Sequence, residues 1–435
     1  MGVTVYQELW YSASQAFRLL IPEPKARVPI TWKTIPRTFI YFIPFVFLAY
    51  LARRPDTYLI RVLILPSLVS LALHCSFGYI WTDPRLNVYN WGSALCAFVV
   101  IAKSIDISLT ANGRFKQGER TLGSMREPAV AAKADSDASA DASARHRPGN
   151  SFLPVWLEDA LELIFSIRGL GWDFGRGVHV PSHIRPTERG PFLRAAARSF
   201  ITNFLMLDLL EALFKLIPGV GSVLGGSIFV SSFPPLQRYA FSTFIHFMTG
   251  CALLAGFNMV YDLLTLLAVV LLGHSPTAWP PIMDNPWISN SLHEFWAKRW
   301  HQTLRQTFLV FGGIPGRAIA GDLGLIFGTF LASGLYHECS IYAMGRGWDS
   351  RVPFFFLLQA LALVGERVWR KVTGRRVGGF FGRLWVYFDV IVLGQPLVDA
   401  WHRRGLAGAM IIPPPISPAR LLLLPAIRSL TGWQL

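Results

Sequence analysis

The sequence predicts an all-α integral membrane protein, a multi-span helical bundle of about seven to nine transmembrane helices. Hydrophobic residues make up 52% of the 435 residues and charged residues only 15%, whereas soluble domains average about 25% charged residues. Apolar runs near the length that crosses a bilayer recur along the chain. Basic residues gather between those runs, which is how membrane proteins place cytosolic charge.

The candidate spans are the long apolar runs, since a helix needs about 20 mostly apolar residues to cross the hydrocarbon core. They cover residues 37–52, 59–81, 88–110, 200–217, 237–256, 257–273, 318–344, 352–370 and 382–399. The run 219–230 is too short to cross, so it predicts either a re-entrant segment or a turn in which glycines allow close packing.

The spans divide the chain into four regions. We predict N-terminal transmembrane helices in 1–110, a polar and partly disordered cytosolic loop in 111–198, a membrane core in 199–400 and a C-terminal tail in 401–435. Within the loop, residues 111–150 contain a low-complexity Ala/Ser/Asp stretch that cannot bury enough apolar surface to order itself. The Arg and Lys residues of the loop favour the cytosolic side.

The net charge of +15 does not indicate nucleic-acid binding, because no basic stripe with interleaved aromatic residues stands apart from the spans. The four cysteines show no CxxC pair and no metal-ligand spacing. We interpret them as small apolar residues and predict no metal site. Residues 1–36 lack the pattern of a cleaved signal peptide, so we expect the first span to act as its own targeting signal.

His337 lies well inside the apolar run 318–344. Ionisable side chains at membrane depth are costly and usually face a cavity or the bundle interior. On a helix, Ser333 and Ser340 lie on the histidine side, which predicts a locally polar surface, and Gly334 would let another helix or a ligand come close. A neutral imidazole at this depth is a usable general base near neutral pH.

A purely structural interpretation of His337 stays open beside the catalytic one. In that interpretation the imidazole only forms a hydrogen bond to a neighbouring helix, as polar side chains do in membranes. His74 and His246 also lie in apolar runs, and for these two we adopt the structural interpretation.

A second segment, residues 289–302, is basic, amphipathic and rich in tryptophan, which predicts an interfacial helix. Ser291 and Glu294 have the S-x-x-E spacing of a capping box, so the helix should begin near them. That structural role competes with a catalytic one at these two residues.

Trp296, Arg299 and Trp300 share one surface of such a helix, because they are three or four residues apart. Arg could grip a phosphate and the indoles could stack on an adenine, which suits acyl-CoA. The same residues could instead anchor the helix at the membrane interface, where Trp and Arg are common. Spacing alone favours the anchor.

Three segments carry a resemblance to a known family. Residues 291–300 read SLHEFWAKRW, residues 333–338 read SGLYHE and residues 168–172 read RGLGW. They resemble the S-L-x-x-F-W-x-x-R-W, S-G-x-x-H-E and R-G-x-G-W elements of the membrane-bound O-acyltransferase superfamily, in the wax-synthase-like branch of plants and fungi. The resemblance covers roughly residues 160–400, and the first two elements together are fairly specific.

This resemblance implies that residues 199–400 are an O-acyltransferase core, a helical bundle that encloses a substrate tunnel. The core would contain the interfacial helix 289–302 and a catalytic helix 318–344, with His337 as the catalytic histidine. Acyl-CoA would enter from the cytosolic side as a co-substrate, and a lipophilic alcohol would arrive from the membrane lipids. The family's chemistry implies no permanently bound cofactor and no metal.

The resemblance also implies roles for neighbouring residues. Asn290 or His301 would stabilise the oxyanion, whereas Trp296, Arg299 and Trp300 would hold the CoA portion or shape its entrance. Plant members usually carry Asn where this chain has His301, so either the histidine substitutes or the role lies elsewhere.

The predicted function is acyl-CoA-dependent O-acylation in the endoplasmic reticulum membrane. The histidine at position 301 and the R-G-x-G-W element are more similar to fungal members. We therefore predict an acetyltransferase that uses acetyl-CoA to esterify a terpenoid or meroterpenoid hydroxyl in secondary metabolism.

Two alternatives remain at this point. One is a long-chain-alcohol or sterol ester (wax) synthase. The other, of a different class, is a small-molecule transporter with an intramembrane polar path through His337, Glu338 and Glu366. The lack of an inverted sequence repeat weighs against the transporter.

Overall fold

A computed structural model describes residues 4–119, 121–122 and 153–431. The predicted disordered stretch of the 111–150 loop lies mostly outside the described residues. The α-helices are α1 (Val5–Leu20), α2 (Phe42–Ala52), α3 (Tyr58–Phe77), α4 (Asn87–Leu109), α5 (Val155–Phe165), α6 (Arg189–Lys215), α7 (Pro235–Leu271), α8 (Leu292–Glu294), α9 (Arg305–Phe308), α10 (Ile314–Tyr342), α11 (Arg351–Thr373), α12 (Gly379–Tyr387), α13 (Gln395–Arg403) and α14 (Leu424–Thr431).

Other regular elements are short. Two strands, β1 (Val28–Pro29) and β2 (Tyr79–Ile80), pair in parallel. Wider π-helical turns occupy Phe295–Arg299, Leu309–Gly313, Phe388–Leu393 and Ala419–Leu423. Such turns are rare and are frequent at functional sites.

Seven helical stretches of the described residues are long and apolar enough to cross a membrane. They are Ile35–Ala52, Tyr58–Phe77, Pro84–Leu109, Pro235–Leu271, Arg305–Tyr342, Arg351–Thr373 and Gly379–Arg403. The predicted all-α, multi-span membrane fold is therefore confirmed.

Three of the expected spans differ from the structure. Residues 237–256 and 257–273 are not separate helices, because α7 is continuous over 37 residues. No proline interrupts it after its first turn, and glycine alone weakens a helix without ending it. Residues 200–215 of the run 200–217 belong to α6. This helix is not among the seven stretches, and three charged residues fall within that run.

The described residues fall into two compact units. The first draws on the described residues within 1–125, 154–175 and 304–356, and the second on those within 176–303 and 357–435. His337 belongs to the first unit, whereas the residues of the 289–302 segment belong to the second.

The R-G-x-G-W element anchors the first unit. Trp172 is fully buried in a cluster with side chains of α2, α3 and α4. Gly169 and Gly171 have positive φ angles of 70° and 81°, a backbone region that costs glycine little. A Cβ on Gly169 would also overlap the backbone of Gly175. The spacing of this element is therefore explained by a tight turn that inserts an indole into the core.

Two cationic side chains lie over the ring of Trp172. The Arg53 guanidinium lies 5.1 Å from the ring centroid and the Lys116 ammonium 5.5 Å from it. Arg53, only 2% exposed, is in turn paired with Glu119 at 2.5 Å and with Asp159 at 2.7 Å. Burial alone would raise the pKa of the Asp159 carboxyl, but bonds from Arg53 and Lys116 hold it below its usual range. Each buried charge here has a partner, as burial requires.

The stretch Arg305–Tyr342 is not one straight helix. Its backbone leaves the helical region at Ala320 (φ −137°, ψ 27°) and Gly321 (φ 59°, ψ −140°). The chain reverses there and forms a hairpin of two helical arms, residues 305–319 and 322–342. The predicted catalytic helix 318–344 therefore begins after Gly321.

Glycines let the two arms of this hairpin touch. Gly312 faces Gly328 and Gly316 faces Gly324, so closely that a Cβ on any of them would overlap the opposite carbonyl group. Each arm thus presents a small-xxx-small stripe, the arrangement with which membrane helices approach at short range.

The second unit contains the α6–α7 pair, which packs through Leu210, Phe214, Ile245 and Met248. Residues 219–230 form turns rather than a helix, so the turn interpretation was right. Its glycines allow close packing, as expected: a Cβ on Gly225 would overlap the Arg403 carbonyl.

The glycine stripe of the hairpin generates a test. We expect Gly328→Ala to lower the free energy of unfolding by about 1–3 kcal/mol, because the added methyl group must push the arms apart. Gly250→Ala, in α7 where a Cβ would meet nothing within 4 Å, is the control and should be neutral or slightly stabilising. Thermal unfolding in detergent measures both, and equal midpoints would contradict the packing argument.

Candidate active site

His337 lies on the second arm of the hairpin, among aromatic rings of the first unit. Its imidazole stacks on Phe356, with ring centroids 5.1 Å apart and an angle of 10° between the planes. Tyr336 meets it edge-on at 5.4 Å, and Phe308 lies 6.4 Å away. The imidazole is half-buried. Its surroundings are therefore largely apolar.

Ser340, which we expected on the histidine side of this helix, uses its hydroxyl within the helix. The Ser340 hydroxyl donates to the backbone carbonyl of Tyr336 at 2.6 Å and is fully buried. A serine inside an apolar helix commonly bonds to the preceding turn in this way, because water is not available to it. This hydroxyl is used within its own helix.

Two contacts fix α11 beside the histidine. A Cβ on Gly334 would overlap Pro353 of α11, which confirms that this glycine admits another helix. The carboxylate of Glu338, fully buried, accepts the backbone N–H of Asp349 at 2.7 Å. Because α11 also carries Phe356, both contacts set the distance between the ring of Phe356 and the imidazole.

The second motif begins as the sequence predicts. The Ser291 hydroxyl accepts the backbone N–H of Glu294 at 3.0 Å, and α8 starts at Leu292. The Glu294 carboxylate completes the cap one residue earlier than expected, on the backbone N–H of Asn290 at 2.8 Å. The helical part of the predicted 289–302 helix is shorter, residues 292–299.

The aromatic residues of the motif are arranged by a π-helical turn. The backbone N–H of Trp300 donates to the backbone carbonyl of Phe295, five residues earlier, at 2.8 Å. Phe295 and Trp300 consequently stack, with centroids 5.5 Å apart, and Trp296 meets Trp300 edge-on at 6.4 Å. The two tryptophans lie together as predicted. A π-helical turn, which is wider than an α-helical turn, brings them together.

The guanidinium of Arg299 is paired with neighbouring oxygen atoms. Its guanidinium is 18% exposed and binds the Glu294 carboxylate at 2.7 Å and the Asp284 backbone carbonyl at 2.9 Å. Asp284 in turn bonds to His179 at 2.7 Å. Burial would raise the pKa of Glu294, but the Asn290 N–H and Arg299 outweigh it and lower that pKa.

The two oxyanion candidates lie on either side of this turn. The side-chain oxygen of Asn290 accepts a bond from Arg383 at 3.1 Å, and Gly382 leaves room for the Asn290 backbone. The His301 ring packs on Phe257, with centroids 4.6 Å apart. Asn290, Trp296, Arg299, Trp300 and His301 all belong to the second unit, and His337 to the first.

Sequence reasoning missed the support that α11 gives to the motif. The indole N–H of Trp296 donates to the side-chain oxygen of Gln359, a fully buried residue, at 2.9 Å. The Glu366 carboxylate accepts the backbone N–H groups of Leu292 and His293 at 2.7 and 3.1 Å. Gln359 and Glu366 are seven residues apart in an apolar run, so their shared helical face was a signal in the sequence.

Among the described residues, no group of three His, Cys, Asp or Glu side chains is placed to hold a metal ion.

Substitution of Glu366 tests whether α11 stabilises the start of α8. Glu366→Ala should lower the free energy of unfolding by about 1–2 kcal/mol, because two backbone donors at the start of α8 lose their acceptor. Glu366→Gln keeps one acceptor oxygen and should lose less. Arg367→Ala, at an exposed position of the same helix, is the control. Thermal unfolding midpoints measure the three variants, and an unchanged midpoint for Glu366→Ala would contradict this role.

Comparisons with known proteins agree with the motifs. Residues 279–358 match the model of the membrane bound O-acyl transferase family. Acetyltransferase aurG of Calcarisporium arbuscula is 25% identical over 353 residues, 76% of this chain and 82% of that protein. Acetyltransferase sirH of Emericella nidulans is 26% identical over 266 residues, 55% of this chain and 58% of that protein.

A plant protein is also similar. Acyl-CoA–sterol O-acyltransferase 1 of Arabidopsis thaliana is 28% identical over 109 residues, 22% of this chain and 30% of that protein. No solved structure matches the chain. The matched residues 279–358 contain both elements on which the resemblance mainly rests. The resemblance to the membrane-bound O-acyltransferase superfamily is therefore confirmed, and with it the predicted class of enzyme, an O-acyltransferase.

Proposed function

We propose that this chain transfers an acetyl group from acetyl-CoA to a hydroxyl of a terpenoid or meroterpenoid in secondary metabolism. The observation that carries the proposal is the placement of His337, on an apolar helix within the matched residues and beside three aromatic rings. The two fungal relatives named acetyltransferases support an acetyl group over a longer acyl chain.

In the proposed reaction, His337 acts as general base and takes the proton of the acceptor hydroxyl. The hydroxyl oxygen attacks the thioester carbonyl, and the tetrahedral intermediate then releases CoA. The proton passes from the imidazole to the thiolate sulfur, so an ester and a thiol form without net proton release. The scheme needs no covalent enzyme intermediate and no metal.

The aromatic rings around His337 suit this chemistry. An apolar surrounding of this kind disfavours water near the imidazole, and a water-poor site suppresses hydrolysis of the thioester and strengthens local electrostatic interactions. Holding both substrates at one imidazole also supplies the gain from proximity and orientation.

Asn290 is the stronger of the two candidates for stabilising the oxyanion. Because Arg383 donates to its side-chain oxygen, the amide presents its N–H groups for donation. Donors of this kind stabilise the negative charge that develops in acyl transfer. His301 is the second candidate.

We propose that Trp296 and Trp300 bind the adenine or pantetheine part of CoA through their rings. Arg299 has a different role in this proposal. Its charge is already paired with Glu294, so it acts as a positioning residue that shapes the entrance rather than as a phosphate ligand.

A sterol or long-chain-alcohol ester synthase is the second candidate function, favoured by the similarity to the Arabidopsis sterol acyltransferase. The transporter has less support. Two of the three side chains of its polar path, Glu338 and Glu366, accept backbone N–H groups.

We further propose the endoplasmic reticulum membrane as the location and its cytosolic side for acyl-CoA entry.

The decisive variant is His337→Ala. We expect it to lower CoA release in microsomes by about 10²–10⁴-fold, the usual contribution of a positioned general base. Labelled acetyl-CoA and palmitoyl-CoA are compared, and mass analysis of the esterified products identifies the acyl group that is transferred.

His74→Ala is the matched control, since His74 is also a histidine at membrane depth, on α3. It should keep its turnover and expression level. Full turnover by His337→Ala at normal expression would refute the mechanism, and preferred use of palmitoyl-CoA would refute the acetyl assignment.

A further inference from the structure

A stripe of polar side chains joins two helices of the second unit at membrane depth. On α7 and α13 the polar residues recur at i, i+4 and i+7, the spacing of a single helical face. We name this set the α7–α13 seam: Ser242, His246 and Thr249 on α7, and Gln395, Asp399 and His402 on α13. All six are at least nine-tenths buried.

Hydrogen bonds cross the seam at both ends. The Ser242 hydroxyl donates to the side-chain oxygen of Gln395 at 2.7 Å. The Thr249 hydroxyl donates its hydrogen to the Ile245 carbonyl. The Thr249 oxygen therefore accepts a hydrogen bond from Nε2–H of His402, and these two atoms are 2.9 Å apart. This bond leaves Nδ1 of His402 as an acceptor, which has no partner among the described residues.

The seam ends at an open-sided cavity of about 440 Å³, a size that suits a small lipophilic ligand. Its lining combines apolar and neutral polar side chains: Phe229, Tyr239, Thr243, Val392, Gln395 and Pro396. Most of the lining comes from Pro235–Leu271 and Gly379–Arg403, two of the stretches that can cross the membrane. A molecule dissolved in the bilayer could therefore reach the cavity.

The side chains that line the cavity indicate which kind of molecule it can bind. Within the part of the chain that the structure describes, no charged side chain lines the cavity. This lining offers nothing to the phosphates of CoA, which require cationic partners. Phe229, Val392 and Pro396 suit an apolar body. This lining suits a neutral, lipophilic occupant.

Gln395 supplies a polar contact for an oxygen atom of that occupant. Its side-chain oxygen is held by Ser242, and its amide nitrogen donates one hydrogen to Thr243 at 2.7 Å. The amide carries two hydrogens, so one remains for a ligand. Both bonds fix the orientation of the amide, which lowers the cost of ordering it when a ligand binds.

We propose that this cavity binds a neutral lipophilic alcohol, the acceptor of the proposed reaction as it arrives from the bilayer, with its oxygen on the Gln395 amide. The proposal rests on the proposed function for the identity of the ligand as the acceptor. Ser242 and Thr243 hold the Gln395 amide in place, and the cavity accommodates the apolar body.

Photolabelling of the full chain in nanodiscs tests the site without CoA. The probe is a sterol alcohol that carries a diazirine, compared with the same sterol lacking its hydroxyl. We expect the alcohol to label residues 229–243 or 392–396 more strongly than its deoxy analogue. Gln395→Leu should reduce this preference by about 3–10-fold, the value of one hydrogen bond. Val392→Phe should block labelling by both probes.

Matched controls separate a ligand site from simple packing between helices. Thr249→Val breaks the seam bond to His402 but leaves the cavity lining unchanged, and Val270→Phe enlarges an exposed valine of α7 outside the lining. Both controls should keep the labelling. An equal loss in Thr249→Val and Gln395→Leu would overturn the proposal, because it would make the seam a packing element only.

Turnover decides whether the bound alcohol is the acceptor. Gln395→Leu should raise KM for the acceptor by about 3–10-fold, with KM for acyl-CoA and kcat unchanged. Labelling that depends on Gln395 with no change in the acceptor KM would identify a membrane-lipid site and overturn the acceptor assignment. If the wild-type chain formed no ester at all while labelling persisted, the proposed function would fail and the alcohol site would stand.

Discussion

The constraint on which the rest of this structure depends is that polar groups at membrane depth must find partners within the protein, since the hydrocarbon core offers no water. Ser340 meets this requirement within its own helix, and Glu338 meets it on the Asp349 backbone. In the second unit, Ser242 meets it on Gln395 of another helix. The partners of buried polar groups thereby determine which faces of the helices pack together.

His337 lies among the aromatic rings of Phe308, Tyr336 and Phe356. An ionisable side chain in such surroundings is costly and is usually functional. The contacts of Gly334 and Glu338 hold α11, and with it Phe356, beside the imidazole. The same helix supports the second motif through Gln359 and Glu366.

Backbone geometry is as specific as side-chain chemistry here. The hairpin of residues 305–342 depends on glycines that let two helical arms touch, and the π-helical turn at Phe295–Arg299 stacks Trp300 on Phe295. Departures from regular α-helix therefore occur in the segments that carry the motifs, which is typical of functional sites. Arg299, paired with Glu294, stabilises that turn.

The sequence by itself determined the membrane class, most of the spans, the helix start at Ser291 and the two motifs, because these features follow from composition and local spacing. Only the tertiary structure decided that residues 237–273 form one helix, that the chain reverses at Gly321, and that Glu366 caps the motif helix. It alone revealed the α7–α13 seam. Such contacts join residues far apart in the chain, and periodicity indicates which face of a helix is polar without indicating which other helix that face will meet.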